Sequence, residues 1–169
     1  MKKYIAGAAV AIAFLTTVTF ALAGGKDYTP VPKTADTETG YIEGISGTAG
    51  NYVLSIDAID WYEGDQAKKI FQEREGGSGE DGPPDGYYIV NDDPTISRLP
   101  ISPKAEVVMQ IYDRTGDPNA SDTEWNESIT LDKFVQLLQS DDELSIKDFP
   151  YHLTVKGGKI VRIVQQFIP

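Results

Sequence analysis

The chain has 169 residues, 26 acidic against 15 basic side chains and no cysteine, so its formal net charge is −11. This length supports one domain with a hydrophobic core. The acidic balance argues against binding to nucleic acid or to anionic membrane surfaces, because like charges repel. The absence of cysteine excludes disulfides and thiolate metal sites.

The first 23 residues have the pattern of a secretory signal peptide. Lys2-Lys3 gives a positive start, an apolar run follows from about Ile5 to Phe20, and Ala21-Leu22-Ala23 is a small-residue cleavage motif. We expect cleavage after Ala23, which would give a secreted or extracytoplasmic protein with no stable membrane anchor. An uncleaved anchor is the alternative, although the apolar run is barely long enough to span a bilayer.

The remaining chain divides into a tether and one domain. Residues 24–39 are rich in Pro and Thr and poor in large apolar side chains, which is typical of a flexible tether. Residues 40–169 are expected to form a single β-rich globular domain. Alternating apolar residues and turn signals predict strands at 41–46, 52–62, 87–91 and 105–112.

Two short helices are predicted between the strands. One covers Gly64–Glu75 and the other runs from Leu131 to about Gln139, with Thr130 as its N-cap. The extended stretch 96–101 is interrupted by Pro100 and followed by Pro103, which favours a sheet edge. The predicted fold is mainly β (α+β): a small antiparallel twisted sheet or OB-like barrel of about six strands with two short helices.

The strongest local signal is a C-terminal hairpin around Gly157-Gly158, because a two-residue primed turn needs positive φ angles that glycine adopts without strain. Continuous pairing from that turn places Leu153 opposite Arg162 and His152 opposite Ile163. His152 and Arg162 would then lie on opposite faces. Arg162 would lie among apolar residues, so we expect it to meet a buried carboxylate, Asp60, unless the register is shifted by one.

Three segments together resemble a known group of proteins. They are Ile56-Asp57-x-x-Asp60-Trp61, the strand Gly86–Asp92, and the closing stretch Pro150–Pro169. The chain is similar to small exported bacterial proteins of unknown function, which share an acidic-Trp strand end, a Tyr-Tyr-Ile-x-Asn strand and a hairpin that begins Pro-Tyr and closes Glu-Gln-Tyr-x-Pro. Here Gln165 and Phe167 replace the more frequent acidic residue and Tyr. The resemblance implies export and a single fold, and no mechanism.

The preferred functional hypothesis is a non-catalytic exported module that binds an unidentified extracytoplasmic protein or glycan and uses no cofactor. Tyr and Trp are enriched in contact patches. The candidate binding residues are Trp61, Tyr62, Tyr87 and Tyr88, with Tyr41 and Tyr151 as further members. At least half of these aromatic side chains are expected to lie in the barrel core or at its rim.

The alternative from another class is a small secreted carboxylate-dependent hydrolase. Asp60 and Asp92, with Asp93 nearby, could converge in space as a catalytic pair. The one histidine, His152, lies in a predicted strand and is expected to be a packed residue rather than a catalytic base.

A minor alternative is a domain stabilised by Ca²⁺. Asp117, Asn119 and Asp122 lie in a polar loop that resembles a Ca²⁺ loop. The loop lacks the glycine of the sixth position and the glutamate of the twelfth, so no dedicated metal site is predicted.

Overall fold

The computed structural model describes residues 27–77, 79–115, 117, 123–140 and 144–168, and the predicted signal peptide lies outside these described residues. The elements in chain order are β1 (Thr37–Thr48), β2 (Asn51–Ala58), β3 (Asp60–Glu63), α1 (Gly64–Glu75), β4 (Tyr87–Val90), β5 (Ile96–Met109), β6 (Glu127–Ile129), α2 (Leu131–Gln139), a 3₁₀ helix (Ile146–Asp148), β7 (Pro150–Lys156) and β8 (Lys159–Gln165).

Five strands close into a barrel in the order β1-β2-β5-β8-β7, and β7 pairs back onto β1. All of these pairs are antiparallel except β5 with β8, which is parallel. A parallel pair needs a long crossover, and α2 lies within this one. β6 extends the sheet beside β5. The predicted mainly β, OB-like barrel with two helices is confirmed, because the closed five-stranded barrel carries a helix between its third and fourth strands.

The core fills the barrel and the space beneath α2. The helix begins as predicted, with the Thr130 hydroxyl accepting a hydrogen bond from the Lys133 backbone N–H at 3.2 Å. Phe134 is fully buried and its ring meets that of Tyr151 edge-on at 5.8 Å. Tyr151 is also fully buried and its hydroxyl donates to the Ile146 carbonyl at 2.8 Å. Tyr151 is therefore a core residue, and its assignment to a binding surface is wrong.

The segment between β2 and β5 forms a unit of its own on the outside of the barrel. The predicted strand 52–62 breaks at Ile59, and β3 pairs with β4 as a separate two-stranded sheet that α1 covers. The Ile59 backbone N–H donates to the Thr39 carbonyl of β1 at 2.9 Å, which ties the unit to the barrel wall. We call β3, α1 and β4 the insert.

The C-terminal hairpin has the predicted turn and a different register. Gly157 and Gly158 have φ angles of 58° and 72°, as a primed turn requires. Val155 pairs with Ile160 as expected, but the register shifts at the next pair, so Thr154 is opposite Arg162. The prediction that extended the pairing without a break is wrong, because a bulge at this point adds one residue to β8.

The bulge moves Arg162 to the outside of the barrel. Residues on opposed strands share a face, so Arg162, Thr154 and His152 all point outward, and the predicted separation of His152 from Arg162 is wrong. Arg162 lies opposite Glu106 of β5, with 3.4 Å between its Nε and a carboxylate oxygen. The expected partner, Asp60, does not form this ion pair, and the alternative, a register shifted by one, is confirmed.

The prediction of a sheet edge at Pro100 and Pro103 is wrong, because both prolines lie within strand β5. This strand runs continuously through Pro100 and Pro103 and has β2, β8 and β6 as neighbours. Pro103 lies where the pairing with β8 is interrupted, between Ile101 and Glu106. A residue without a backbone N–H is tolerated there because no ladder hydrogen bond is required.

Candidate functional site

A cavity of about 380 Å³ lies on the outer wall of the barrel, between the insert and the segment that precedes β1. This volume is within the usual range for small-molecule sites. Apolar and polar side chains contribute to its lining. The lining residues are Pro30, Val31, Pro32, Lys33, Thr37, Thr39, Trp61, Glu63, Gln66 and His152.

Hydrogen bonds fix His152 at the base of the cavity. Gln166 donates from its Nε2 to the Phe167 carbonyl at 2.8 Å, so its Oε1 faces the His152 Nε2 at 2.9 Å. That oxygen can only accept, which assigns the proton to Nε2. His152 Nδ1 then accepts from the Thr39 hydroxyl at 2.9 Å. Thr39 and His152 are direct cross-strand partners, so the contact follows from the pairing of β1 with β7.

The surroundings of His152 favour the neutral ring. Only 6% of the residue is exposed. Burial lowers the pKa of His152, while its hydrogen bond to Gln166 and the Glu63 carboxylate oppose that shift and the Lys33 ammonium adds to it. With both ring nitrogens engaged, His152 is not available as a general base in this arrangement.

Trp61 joins the insert to this site. Its indole N–H donates to a Glu63 carboxylate oxygen at 2.9 Å. One face of the ring stacks on Tyr87 at 4.5 Å between centroids, and the ring meets the His152 imidazole at 6.1 Å in an edge-on arrangement. Because 7% of Trp61 is exposed, it forms a wall of the cavity rather than an open stacking platform.

The segment Tyr28–Asp36, which we call the strap, forms the other side of the cavity. Tyr28 donates from its hydroxyl to the Oε1 of Gln166 at 2.5 Å, the same atom that His152 contacts. Lys33 lies over the ring of Tyr62, with its Nζ at 5.4 Å from the centroid. Part of the predicted tether is thus in contact with the domain, and β1 begins at Thr37, before the expected domain start at residue 40.

The four aromatic binding candidates lie on two faces of the small sheet. Trp61 and Tyr87 share the face toward the cavity. Tyr62 and Tyr88 are cross-strand partners on the other face, where Tyr88 meets Phe71 of α1 edge-on at 5.6 Å. The structure therefore separates the candidates into two pairs. In the first pair Trp61 lines the cavity and Tyr87 stacks on it, and in the second Tyr62 contacts the lining residue Lys33.

The two catalytic candidates line a separate, shallow concavity. Asp60 and Asp92 both contribute to it, together with Asp93 and Arg74. Arg74 donates two hydrogen bonds to the Asp92 carboxylate, at 3.0 and 2.6 Å. These bonds hold the pKa of Asp92 below its usual range, so Asp92 stays ionised and is unsuited to donate a proton.

The weak Ca²⁺ candidates receive little support. Asp117 is exposed, and Asn119 and Asp122 lie outside the described residues. Among the residues that the structure describes, no group of three or more His, Cys, Asp or Glu side chains is arranged to hold a metal ion.

Several residues in the cavity lining or hydrogen-bonded beside it had no signal in the sequence. Tyr28 and Lys33 lie in a segment whose composition predicts a tether, and Thr39, Gln66 and Gln166 belong to no motif of known chemistry. Two lining residues did have a signal, Trp61 as an aromatic binding candidate and His152 as the one histidine of the chain.

Comparison of the chain with protein-family models, with curated proteins and with solved structures finds no match. Within the described ranges, no helix is long and apolar enough to cross a membrane.

Proposed function

We propose that the protein is an exported, non-catalytic binding module and that the cavity between strap, insert and barrel is its ligand site. The observation that supports this most directly is the convergence of three separate chain segments around one cavity of about 380 Å³. The signal-like N-terminus and the resemblance to small exported bacterial proteins support the location outside the cytoplasm.

The lining supports an uncharged, hydroxyl-rich ligand such as the end of a glycan. Glu63 and Gln66 offer acceptor and donor groups at one wall, and Lys33 offers a cation at the other. A sugar hydroxyl both donates and accepts, so it can pair with all three groups. Val31 and the flanking prolines provide apolar contact for the carbon atoms of a sugar ring.

The state of the polar groups supports binding rather than catalysis. His152 is buried, neutral and hydrogen-bonded at both nitrogens, which supports a structural role in the cavity wall. Tyr28 has its pKa raised by burial and then by the nearby Glu63 carboxylate, so its hydroxyl keeps its proton and stays a donor. Neither group is prepared to activate a nucleophile.

The test is a titration followed by the indole N–H signals of Trp61 and Trp125 in ¹⁵N–¹H spectra. The probes are N-acetylglucosamine, glucose and an uncharged tripeptide. We expect a saturable shift of the Trp61 signal with a sugar, weakened at least threefold by Gln66→Ala. The matched control is Gln72→Ala on the same helix, which does not line the cavity and should bind like the natural protein.

If only the tripeptide gives a saturable shift, the ligand is a protein rather than a glycan. If none of the probes shifts Trp61, or if Gln66→Ala and Gln72→Ala bind alike, the cavity is not the glycan site.

The alternative of a carboxylate-dependent hydrolase retains one observation in its favour, the shared concavity of Asp60 and Asp92. Because Arg74 keeps Asp92 ionised, Asp60 would have to act as the acid. The measurement is release of nitrophenol from nitrophenyl glycosides, and activity that Asp60→Asn removes would establish this alternative. For the Ca²⁺-stabilised alternative, a chelator that leaves the melting temperature unchanged would remove it.

A further inference from the structure

The strap crosses one side of the cavity. Backbone hydrogen bonds hold one end, side-chain contacts hold the other, and Lys33 lies over the Tyr62 ring in between. We propose that the strap is a gate, which pivots where β1 begins and opens when Tyr28 leaves Gln166. The identity of the ligand that passes the gate rests on the proposed function, whereas the opening of the strap does not depend on it.

The pivot is part of the barrel. The Asp36 carbonyl accepts a hydrogen bond from the Val155 backbone N–H at 2.8 Å, and Thr37 is the first residue paired with β7, opposite Thr154. The Thr37 backbone N–H also donates to the Thr34 carbonyl at 3.1 Å, which forms a turn at this end. Moving this end would break the strand pairing that closes the barrel, so it stays in place when the strap moves.

The middle of the strap is stiff and loosely attached. Pro30 and Pro32 have fixed φ angles and no backbone N–H. Within the described residues, no backbone-to-backbone hydrogen bond joins residues 28–33 to the barrel. The middle can therefore move as a nearly rigid piece once its far end is released.

The far end is a latch made of side chains. The Tyr28 hydroxyl donates to Gln166, and the Tyr28 ring meets that of Trp125 at 5.7 Å. Asn126 donates from its Nδ2 to the Asp27 carbonyl at 3.1 Å. Opening this end costs a few side-chain contacts and no strand, so it is the weaker of the two ends.

Release of the latch leaves His152 in place and removes its cover. Gln166 Oε1 accepts from both Tyr28 and His152, and the loss of the first bond does not remove the second. The strap residues Pro30 to Lys33 line the cavity together with His152. An open strap therefore exposes the one imidazole of the chain to solvent, where water can replace the Thr39 hydroxyl at Nδ1 and leave that nitrogen accessible to a reagent.

The test measures that exposure by modification of His152 with diethyl pyrocarbonate, followed at 240 nm. The sequence contains one histidine, so the signal has one source. We expect Tyr28→Ala to react at least tenfold faster than the natural protein, and Tyr28→Phe about fivefold faster, since it loses one hydrogen bond and keeps the ring. The matched control is Tyr88→Phe, which loses a hydroxyl bond to Glu75 on the far side of the insert and should react at the natural rate.

An unchanged rate in folded Tyr28→Ala would overturn the gate. If Tyr28→Ala fails to fold, the labelling rate of Tyr28→Phe is the test, and an unchanged rate in that variant would also overturn the gate. The reagent needs no ligand, so faster labelling without sugar binding would retain the gate and remove the proposed function. Sugar binding with unchanged labelling in both variants would remove the gate alone.

Discussion

The side-chain oxygen of Gln166 lies 2.9 Å from the Nε2 of His152 and accepts a hydrogen bond from its N–H. Replacement by a carboxylate of the same shape tests this assignment. In Gln166→Glu the negative charge would favour the imidazolium, so we expect the pKa of His152 to rise by about one to two units relative to the natural protein. The measurement is an NMR titration of the His152 C2–H signal. In the control Gln72→Glu, on the exposed side of α1, the pKa of His152 should not change.

The lowered pKa of His152 also predicts how stability depends on pH. The unfolded chain binds a proton on this residue near pH 6.5, and the folded protein does so only at lower pH. Stability is therefore complete above about pH 6.5 and declines as the pH falls through the folded pKa. Urea unfolding at pH 7.5 and pH 5 measures this loss. In His152→Gln the difference between the two free energies of unfolding should be smaller, because glutamine does not titrate. A free energy of unfolding that is higher at pH 5 than at pH 7.5 would contradict the prediction. The lowered pKa of Asp92 affects stability only below pH 5.

The buried Gln165 should be much more sensitive to substitution than an exposed glutamine. Its Oε1 accepts hydrogen bonds from the backbone N–H groups of Gln110 and Ile111, both at 2.9 Å. Gln165→Met would leave two N–H groups without an acceptor inside the barrel, and we expect a loss of about 2–4 kcal/mol in the free energy of unfolding. Urea denaturation measures this loss. Gln139→Met at the exposed end of α2 should change the free energy by less than about 0.5 kcal/mol.

Two glycines of the same strand should respond differently to alanine. A Cβ at Gly40 would lie 2.5 Å from the Asp57 carbonyl oxygen and 2.6 Å from the Ile56 side chain. A Cβ at Gly44 would meet no atom within 4 Å. We expect Gly40→Ala to cost about 1–3 kcal/mol and Gly44→Ala to be neutral or slightly stabilising. Equal melting temperatures for the two variants would show that β1 can shift to make room.

The fold was predictable where local rules decide it. The Gly157-Gly158 turn, the Thr130 cap and both helices follow from residue preferences over a few positions. The apolar neighbours that Arg162 would have in an unbroken register indicated a shift by one residue. The position of the bulge was not predictable, because Arg162 pairs with Glu106 on a strand far away in the chain.

The candidate site was less predictable than the fold. Tyr28, Thr39 and Gln166 meet only because β1 pairs with β7 and the strap folds back over both strands. Composition correctly marks the strap as poor in core residues. It cannot reveal that one tyrosine at its end finds an acceptor.

The pairing of β1 with β7 also affects when the barrel can form during synthesis. Tyr41 is paired with Pro150, so the ring of strands stays open until the last two strands are available. Contacts between such distant positions close slowly, because a long loop must be ordered first. The Gly157-Gly158 hairpin can form within microseconds once both of its strands have left the ribosome. The barrel therefore cannot close before β7 and β8 have been made, and an unclosed chain is easier to pass through the translocation channel that the proposed export requires.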